Sequence, residues 1–337
     1  MKRTLLLIVG LALAAASRAD VDRAAFVRLA ASVPKVEVLR VQGGYSIGSG
    51  VIVGERRVVT NCHVTRDATE VHVLSEGRRW PVAAEASDAD HDLCLLEVPG
   101  ITGHVVGLGH ADALRVGQPV TALGYTGGQG MQTSRGSVVA LHQLDGSRVI
   151  QSSNWFNSGA SGGGLFDDQQ RLVGILTFRL RGGGPSYFAA PAEWVAALLA
   201  GGGVKRAIGP FAAQERAFWE RPAQEQPDFL QAAVLERDRD WPALDTLSAS
   251  WSKRAPGDAE PWYLQGRALA QLDRLAAARR ALERSVGIEP ASAAAWFRLG
   301  QVYARLGEGG LARAALGRLE TLDDDLATQL SRLLSPS

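Results

Sequence analysis

Residues 157–166 read "NSGASGGGLF", which places Ser161 between Gly159 and Gly162. Glycines at these positions allow a tight turn whose backbone approaches a substrate closely and whose N–H groups converge on one point. A serine on such a turn can act as a nucleophile. Taken alone the pattern is weak, because glycine-rich loops that contain a serine are common.

Two other stretches supply the groups that a nucleophilic serine needs. "VVTNCHVT" at 58–65 brings His63 to the end of a β-like run, and "DADHDLCLL" at 88–96 brings Asp92 to the start of another. The α/β-hydrolases also use a Gly-x-Ser-x-Gly turn, but their acid and histidine follow the serine. That alternative is excluded because all six histidines precede Ser161.

The order histidine, aspartate, serine resembles that of the chymotrypsin-like serine peptidases, in particular their bacterial high-temperature-requirement branch. That branch carries T-N-x-H-V, D-L-A-[LV]-[LI] and G-N-S-G-G, and Ala160 stands here where its Asn is usual. The resemblance implies that Ser161 attacks, His63 moves the proton and Asp92 orients the imidazole. It also implies an oxyanion hole formed by the N–H groups of Gly159 and Ser161.

The same resemblance places a substrate pocket beside the nucleophile. The residue six positions earlier would form its floor, and here that residue is Trp155. No acid stands there to favour Lys or Arg, and Phe156 and Tyr187 suggest a shallow apolar pocket for small side chains. The alternative is that these aromatic residues pack the barrel. The strand that contains Thr177 and Phe178 would pair with the substrate backbone.

The only two cysteines, Cys62 and Cys94, lie beside the predicted triad. Their spacing matches no common zinc pattern, and a metal held by His63 and Asp92 would disable the triad. A Cys62 nucleophile is disfavoured, because neighbours along the expected strand face opposite sides. The triad would bring the two strand ends together, which favours a disulfide and leaves two free thiols as the alternative. His91 is interpreted as a half-exposed residue at a strand start.

The N-terminus is typical of an export signal. Residues 1–19 combine a basic start, an apolar stretch and small residues at Ser17 and Ala19, with cleavage expected after Ala19. The apolar stretch is shorter than the roughly 20 residues that span a bilayer. We therefore expect a periplasmic or secreted protein with no stable membrane span. A net charge of +1 does not favour nucleic acid as a partner, and no cofactor or metal is predicted.

Composition divides the mature chain. Residues 20–34 are a predicted helical lead, and residues 35–200 hold short Val-, Gly- and Thr-rich runs typical of barrels. Residues 201–227 are a predicted linker or connector helix, and residues 228–330 have helical periodicity. The predicted fold has two domains, an all-β double-barrel (chymotrypsin-like) protease domain and an all-α repeat solenoid.

A 34-residue period runs through the helical tail and resembles the tetratricopeptide repeat. The best units are 259–292 and 293–326, and 225–258 is a degenerate third. Small residues would let paired helices approach closely while aromatic residues fill the seam. The residues that recur are Trp262 and Trp296, Gly266 and Gly300, Ala278 and Ala312, and Pro256 and Pro290.

These features predict an exported serine endopeptidase that cleaves polypeptides and uses its repeats to recruit a substrate or protein partner. The repeats stand where high-temperature-requirement proteases usually carry PDZ domains, so that branch's regulation is not carried over. One rival is a binding protein whose protease-like domain is only a scaffold, which the complete set of His63, Asp92 and Ser161 argues against. Another is an esterase-like hydrolase with the same triad.

Overall fold

The computed structural model describes residues 23–127, 130–180, 187–212 and 214–335. The predicted export signal at 1–19 lies outside these residues. The chain divides into two compact units, with the boundary between Phe218 and Trp219. Within the described ranges, no helix is long and apolar enough to cross a membrane.

The first unit opens with a helix, α1, over residues 23–30, and continues into antiparallel strands. Alternating apolar and polar residues explain the strands: in β1 the side chains of Val36 and Val38 are buried and their neighbours face outward. The strands of the first half are β1 (Lys35–Arg40), β2 (Tyr45–Ser49), β3 (Val51–Gly54), β4 (Arg57–Thr60), β5 (Ala68–Ser75), β6 (Arg78–Pro81), β7 (Ala84–Asp88) and β8 (Leu93–Glu97).

The second half of this unit closes into a six-stranded barrel in the order β10-β11-β14-β13-β12-β9. A helix, α3 (Ala192–Leu199), and a last short strand, β15 (Val204–Arg206), follow the barrel. The barrel strands are β9 (Pro119–Tyr125), β10 (Met131–Leu144), β11 (Ser147–Ser152), β12 (Gly164–Phe166), β13 (Leu172–Arg179) and β14 (Tyr187–Pro191).

The first half consists of two sheets that share one core. Their orders are β2-β1-β5-β6 and β15-β7-β8-β4-β3. Val38 of β1, Val73 of β5, Val58 of β4 and Leu96 of β8 lie in the same cluster of buried side chains. The hydrophobic face of each sheet is therefore covered by the other, and the end of β4 lies beside the start of β8.

The structure corrects two local predictions. Cys62 and His63 lie in a one-turn helix, α2 (Cys62–Thr65), and not along a strand. The strand stops at Thr60 because the amide of Asn61 turns away to bind the carbonyl of Asp92 at 2.9 Å. The predicted connector, residues 201–227, contains a strand, β15, which pairs with β7. Its described residues form no α-helix, and their helical turns are two short 3-10 helices.

The second unit is all-helical over its described residues. The predicted repeat 259–292 contains α6 and α7, 293–326 contains α8 and α9, and the degenerate 225–258 contains α4 and α5. The bounds are α4 (Asp228–Asp238), α5 (Trp241–Arg254), α6 (Ala259–Gln271), α7 (Leu275–Ile288), α8 (Ala293–Arg305), α9 (Gly309–Leu319) and α10 (Asp324–Leu334).

The 34-residue period has a hydrogen-bonding reason. The indole N–H of Trp262 donates to the carbonyl of Pro256 at 3.4 Å, and that of Trp296 donates to the carbonyl of Pro290 at 3.0 Å. Each tryptophan thus joins its helix to the preceding turn, and Trp296 also packs against the buried side chains between the helices, as the sequence analysis expected. Gly266 does permit close packing, since a Cβ there would lie 2.5 Å from Leu282 Cγ.

Candidate active site

His63 and Asp92 are joined by two hydrogen bonds. The ring Nδ1 of His63 lies 2.6 Å from Asp92 Oδ2, and the backbone N–H of His63 donates to Asp92 Oδ1 at 2.8 Å. Asp92 is only 1% exposed, so its carboxylate is held away from water. In a serine-peptidase triad the histidine binds the acid through Nδ1 and exchanges protons through Nε2. His63 is oriented in that sense.

The turn that presents Asp92 is itself held in place. Asp92 has a left-handed φ of 58°, which aims its side chain back at α2. Its carbonyl accepts hydrogen bonds from the N–H of Cys62 at 3.2 Å and from the side-chain amide of Asn61 at 2.9 Å. Asn61 also contacts Thr177 Oγ1 at 3.2 Å. The sequence analysis quoted Asn61 within its motif but did not assign it this positioning role.

A disulfide joins Cys62 to Cys94, and no free cysteine remains. Their Cα atoms are 4.9 Å apart, because Thr60 of β4 pairs with Cys94 of β8 and α2 begins two residues later. Both residues are buried. The bridge therefore connects the two chain segments that carry His63 and Asp92, and the alternatives of free thiols or a cysteine-held metal do not apply.

The Ser161 loop is hydrogen-bonded to the end of β2, which is in turn hydrogen-bonded to the end of β4, the strand that leads to His63. The carbonyl of Ser161 accepts a hydrogen bond from the N–H of Ser49 at 2.8 Å, and Thr60 Oγ1 donates to the carbonyl of Ser49 at 2.7 Å. Gly162 lies against both groups: a Cβ there would be 2.1 Å from the Ser49 oxygen and 2.3 Å from Thr60 Oγ1. Only glycine fits at this position, because a Cβ would clash and because the backbone φ of Gly162 is 84°.

The backbone of this loop presents two N–H groups. Ala160, Gly162 and Gly163 donate their N–H groups to the carbonyls of Asn157, Leu176 and Ala160. Within the described part of the chain, no hydrogen bond is donated by the N–H of Gly159 or of Ser161. Gly159 has a φ of 97°, a conformation that glycine adopts readily. The two groups could stabilise an oxyanion.

A cavity of about 260 Å³ lies beside the loop. Trp155 is 53% exposed, so it lies at the rim of the cavity and not at its floor, contrary to the expectation. Phe156 is buried and packs on Tyr187 with ring centroids 4.9 Å apart. The side chain of Ala160 also contributes to the wall. Residues that the sequence analysis missed here are Ala122, Gly124, Thr126, Gln132, Thr133, Ser134 and Leu176.

The side chains of Thr177 and Phe178 face the interior. Both residues are buried; Thr177 Oγ1 donates to the carbonyl of Ile175, and the ring of Phe178 stacks on Phe188 at 4.6 Å. These two side chains are therefore part of the packed interior and do not line a substrate pocket. Any contact of this strand with a peptide would be made by its backbone.

A buried carboxyl group lies behind α2. Glu85 on β7 is 3% exposed and accepts a hydrogen bond from Thr65 Oγ1 at 2.9 Å, while its nearest cation, Arg206, is 3.9 Å away. Burial raises the pKa of Glu85 to about 7, against the smaller opposing effects of Thr65 and Arg206. Nothing in the local sequence marks this residue, since its burial is produced by the pairing of β7 with β15.

The comparisons with known proteins agree with this architecture. Residues 48–175 match the family model described as "Trypsin-like peptidase domain", and residues 259–302 match the one described as "Tetratricopeptide repeat". The chain therefore carries a trypsin-like peptidase domain followed by a tetratricopeptide-repeat region. The peptidase domain is homologous to the HtrA and DegP type of serine endoprotease, which confirms the resemblance and the fold class.

Two curated relatives show the extent of the likeness. The periplasmic pH-dependent serine endoprotease DegQ of Escherichia coli K12 is 33% identical over 159 residues, which cover 44% of this chain and 35% of DegQ. The periplasmic serine endoprotease DegP of the same strain is 33% identical over 162 residues, which cover 44% of this chain and 34% of DegP. The chain thus spans about a third of the length of these relatives.

Solved structures with a similar fold include proteases. The HtrA-type protease AlgW with a tripeptide is 28% identical and matches with a TM-score of 0.48. The match covers 53% of this chain and 63% of AlgW. The active form of the Rv3671c protease from M. tuberculosis is 22% identical and matches with a TM-score of 0.49. The match covers 57% of this chain and 87% of the Rv3671c chain.

Proposed function

We propose that this chain is an exported serine endopeptidase that hydrolyses polypeptides through Ser161, His63 and Asp92. One observation carries the proposal: the buried carboxylate of Asp92 binds both the ring and the backbone N–H of His63. A carboxylate in that position orients the imidazole and stabilises its protonated form. The match to a trypsin-like peptidase domain supports the assignment, and relatives named as periplasmic endoproteases support export.

In this mechanism the oxygen Oγ of Ser161 attacks the carbonyl carbon of the scissile bond. His63 accepts the serine proton and gives it to the leaving amine, after which it activates the water that hydrolyses the acyl-enzyme. The negative oxygen of each tetrahedral intermediate lies near the N–H groups of Gly159 and Ser161. Removing one such donor typically costs on the order of 3 kcal/mol of transition-state stabilisation.

The substrate backbone would extend the barrel sheet. Pairing of β12 with β13 reaches Ile175, whereas β13 continues to Arg179 in contact with β14. A peptide laid in extended form along residues 177–179 continues the sheet by strand addition. The adjacent cavity, with Ala160 and Phe156 in its wall, would favour an uncharged side chain over Lys or Arg, because no acidic residue is among those that line it.

The triad is tested by active-site labelling. We expect a fluorophosphonate to label the wild-type protein and not Ser161→Ala, because only an activated serine reacts. Ser158→Ala is the matched control, since Ser158 lies in the same loop and is exposed. Labelling of Ser161→Ala at the wild-type rate would overturn the assignment.

Turnover gives an independent measurement. Ser161→Ala and His63→Ala should each reduce peptide hydrolysis by several orders of magnitude, and the double variant should be hardly worse, because the groups act as one unit. Circular dichroism should show that each variant is folded. Turnover of esters with no turnover of peptides would favour the esterase alternative, and a folded protein with neither activity would favour the scaffold.

The repeat region would recruit the substrate or a protein partner. A cavity of about 500 Å³ within the second unit has Leu282 and Val302 in its wall and is bordered by Arg267, Arg298 and Arg305. Arg267 and Arg305 pair with Glu236 and Asp273 of this chain, so the apolar wall is what suits the groove to a peptide segment with apolar side chains. This role is proposed for the repeats and is tested by truncation, as described in the Discussion.

A further inference from the structure

His91 makes an unusual set of contacts one residue before Asp92. Its ring Nδ1 lies 2.7 Å from Asp88 Oδ2, and its Nε2 lies 3.1 Å from Asp145 Oδ2. The ring stacks on Trp194 with centroids 3.8 Å apart, and only 17% of the side chain is exposed. His91 is therefore not the half-solvated residue at a strand start that the sequence suggested.

These contacts join three parts of the first unit. Asp88 ends β7 in the five-stranded sheet, and Asp145 lies in the turn between β10 and β11 of the closed barrel. Trp194 lies on α3, which follows the barrel. The turn that carries Asp92 is thus attached through His91 to the barrel hairpin and to a helix, over sequence separations of 54 and more residues.

The protonation state of the His91 ring decides how many of these hydrogen bonds it can make. A neutral imidazole has one N–H, so it can donate to only one of two carboxylates, whereas the imidazolium ion donates to both. Burial by itself lowers the pKa of His91, but hydrogen bonds and charges from Asp88 and Asp145 outweigh it and raise the pKa above its ordinary value of 6.5. The contact to one carboxylate is lost as pH rises through that raised value.

The surroundings favour the protonated ring. The turn contributes Asp90 as well as Asp88, and the carboxylates of Asp90 and Asp145 bring oxygens within 4.8 Å of the His91 ring. On α3, Glu193 stands next to Trp194 and accepts a hydrogen bond from Ser147 Oγ of the same hairpin at 3.3 Å. The charges that raise the pKa of His91 are those of Asp88 and Asp145, while Arg148 of the hairpin is turned to Asp112, with its Nε 3.5 Å from Asp112 Oδ1.

We propose that His91 is a positioning residue, an imidazolium clamp that binds both Asp88 of the Asp92 turn and Asp145 of the barrel hairpin when it is protonated, and that binds only one of them when it is neutral. The attachment itself is independent of any reaction. Its effect on turnover rests on the proposed peptidase function, because it acts through the geometry of Asp92 and His63.

The clamp is tested first by a measurement that needs no activity. In buffers that contain a chelator, nuclear magnetic resonance of ¹⁵N-histidine-labelled protein should give His91 a pKa above 6.5. Asp145→Asn should lower that pKa, because it removes a negative charge from Nε2. Asp168→Asn is the matched control, an exposed aspartate in another turn of the barrel, and should leave it unchanged. An equal His91 pKa in Asp145→Asn and wild type overturns the proposal.

The second measurement separates positioning from bulk stability. Wild-type kcat/KM should fall about three- to tenfold as the His91 proton is lost, the size expected for the net contribution of one hydrogen bond. His91→Gln and Asp145→Asn should lack this step, and Asp168→Asn should retain it. If the step persists in both variants, the positioning role is wrong. If wild-type protein is inactive at every pH, the proposed function fails, and the His91 titration still decides the clamp.

Discussion

Glu85 is a buried acid that is hydrogen-bonded to α2, the helix that carries His63. Its partner, Thr65, is the last residue of α2, two positions after His63. The pKa of Glu85 is about 7 in the folded protein against an ordinary 4.5. The folded state therefore binds this proton more tightly than the unfolded state does, and the stability that it contributes is lost as pH rises from 4.5 to 7.

We expect Glu85→Gln to stabilise the protein at pH 8, because an uncharged amide avoids the cost of burying a carboxylate. The gain in the free energy of unfolding should be about 3 kcal/mol, the free-energy equivalent of the pKa shift from 4.5 to about 7, which already includes the attraction to Arg206. Near pH 4.5 the gain should vanish. Denaturant unfolding at several pH values measures both quantities.

His91 gives a pH dependence of the same sign, so the comparison belongs in a His91→Gln background. Glu55→Gln, an exposed change in the turn between β3 and β4, is the control and should show no pH-dependent gain. A constant difference between Glu85→Gln and its parent from pH 4.5 to 8 would contradict the raised pKa of Glu85.

The bridge between Cys62 and Cys94 closes a chain segment with a sequence separation of 32. The double variant Cys62→Ser, Cys94→Ser should lower the free energy of unfolding by about 3 kcal/mol, because the unfolded chain regains the entropy of the open loop. Turnover should also fall, since Cys62 directly precedes His63. Thermal unfolding with and without dithiothreitol checks this. The reductant should lower the Tm of the wild type only, and a wild type that is indifferent to it would contradict the prediction.

Glycines with different surroundings explain how the repeat helices pack. Gly266 on α6 faces α7, where a Cβ would meet Leu282 Cγ at 2.5 Å and the carbonyl of Ala278 at 3.3 Å. Gly287 on α7 is exposed, and a Cβ there would meet nothing within 4 Å. The first glycine is required by the approach of two helices, and the second is not.

Gly266→Ala should therefore destabilise the repeat unit by about 1–3 kcal/mol, because overpacking outweighs the better helix propensity of alanine. Gly287→Ala is the matched control in the same repeat and should stabilise by up to about 1 kcal/mol. Thermal unfolding monitored by far-ultraviolet circular dichroism measures both changes. Equal effects of the two substitutions would show that the contact of Gly266 with α7 does not limit packing.

Residues 201–218 belong with the peptidase unit. The strand β15 pairs with β7, and Phe218 packs against both Phe178 and Trp194, with ring centroids 5.9 and 6.3 Å apart. The sequence analysis placed the end of the protease domain at residue 200, where the composition changes. A composition change marks where a helix stops, but strand pairing and aromatic packing decide where a folding unit ends.

We expect a chain truncated after Phe218 to fold and to keep its turnover of short peptides. It should lose efficiency only toward the natural protein substrate, because the repeats that recruit that substrate are missing. A chain truncated after Ala200 should have a lower Tm, because it lacks β15 and Phe218. Calorimetry and steady-state kinetics on both chains check this. Loss of short-peptide turnover after the Phe218 truncation would favour a structural role for the repeats.

Local pattern determined a large part of this protein. The 34-residue period recurs because each unit repeats the same helix pair and the same Trp-to-Pro hydrogen bond, so the repeat can be identified without long-range contacts. The order of His63, Asp92 and Ser161 likewise identified the peptidase class, since the motifs around them are short and contiguous. Short Val-, Gly- and Thr-rich runs likewise predicted the strands of the peptidase unit.

Tertiary structure alone decided the features that depend on distant partners. Trp155 lies at a rim because the cavity is shaped by β9 and β10, and Glu85 is buried because β15 returns to cover β7. His91 contacts Asp145, 54 residues away, and Trp194, in a helix beyond the barrel. A sequence window contains the residue but not the partner that sets its exposure or its charge. Burial, pKa and pocket shape are therefore properties of the folded chain, whereas fold class and motif order are legible in the sequence itself.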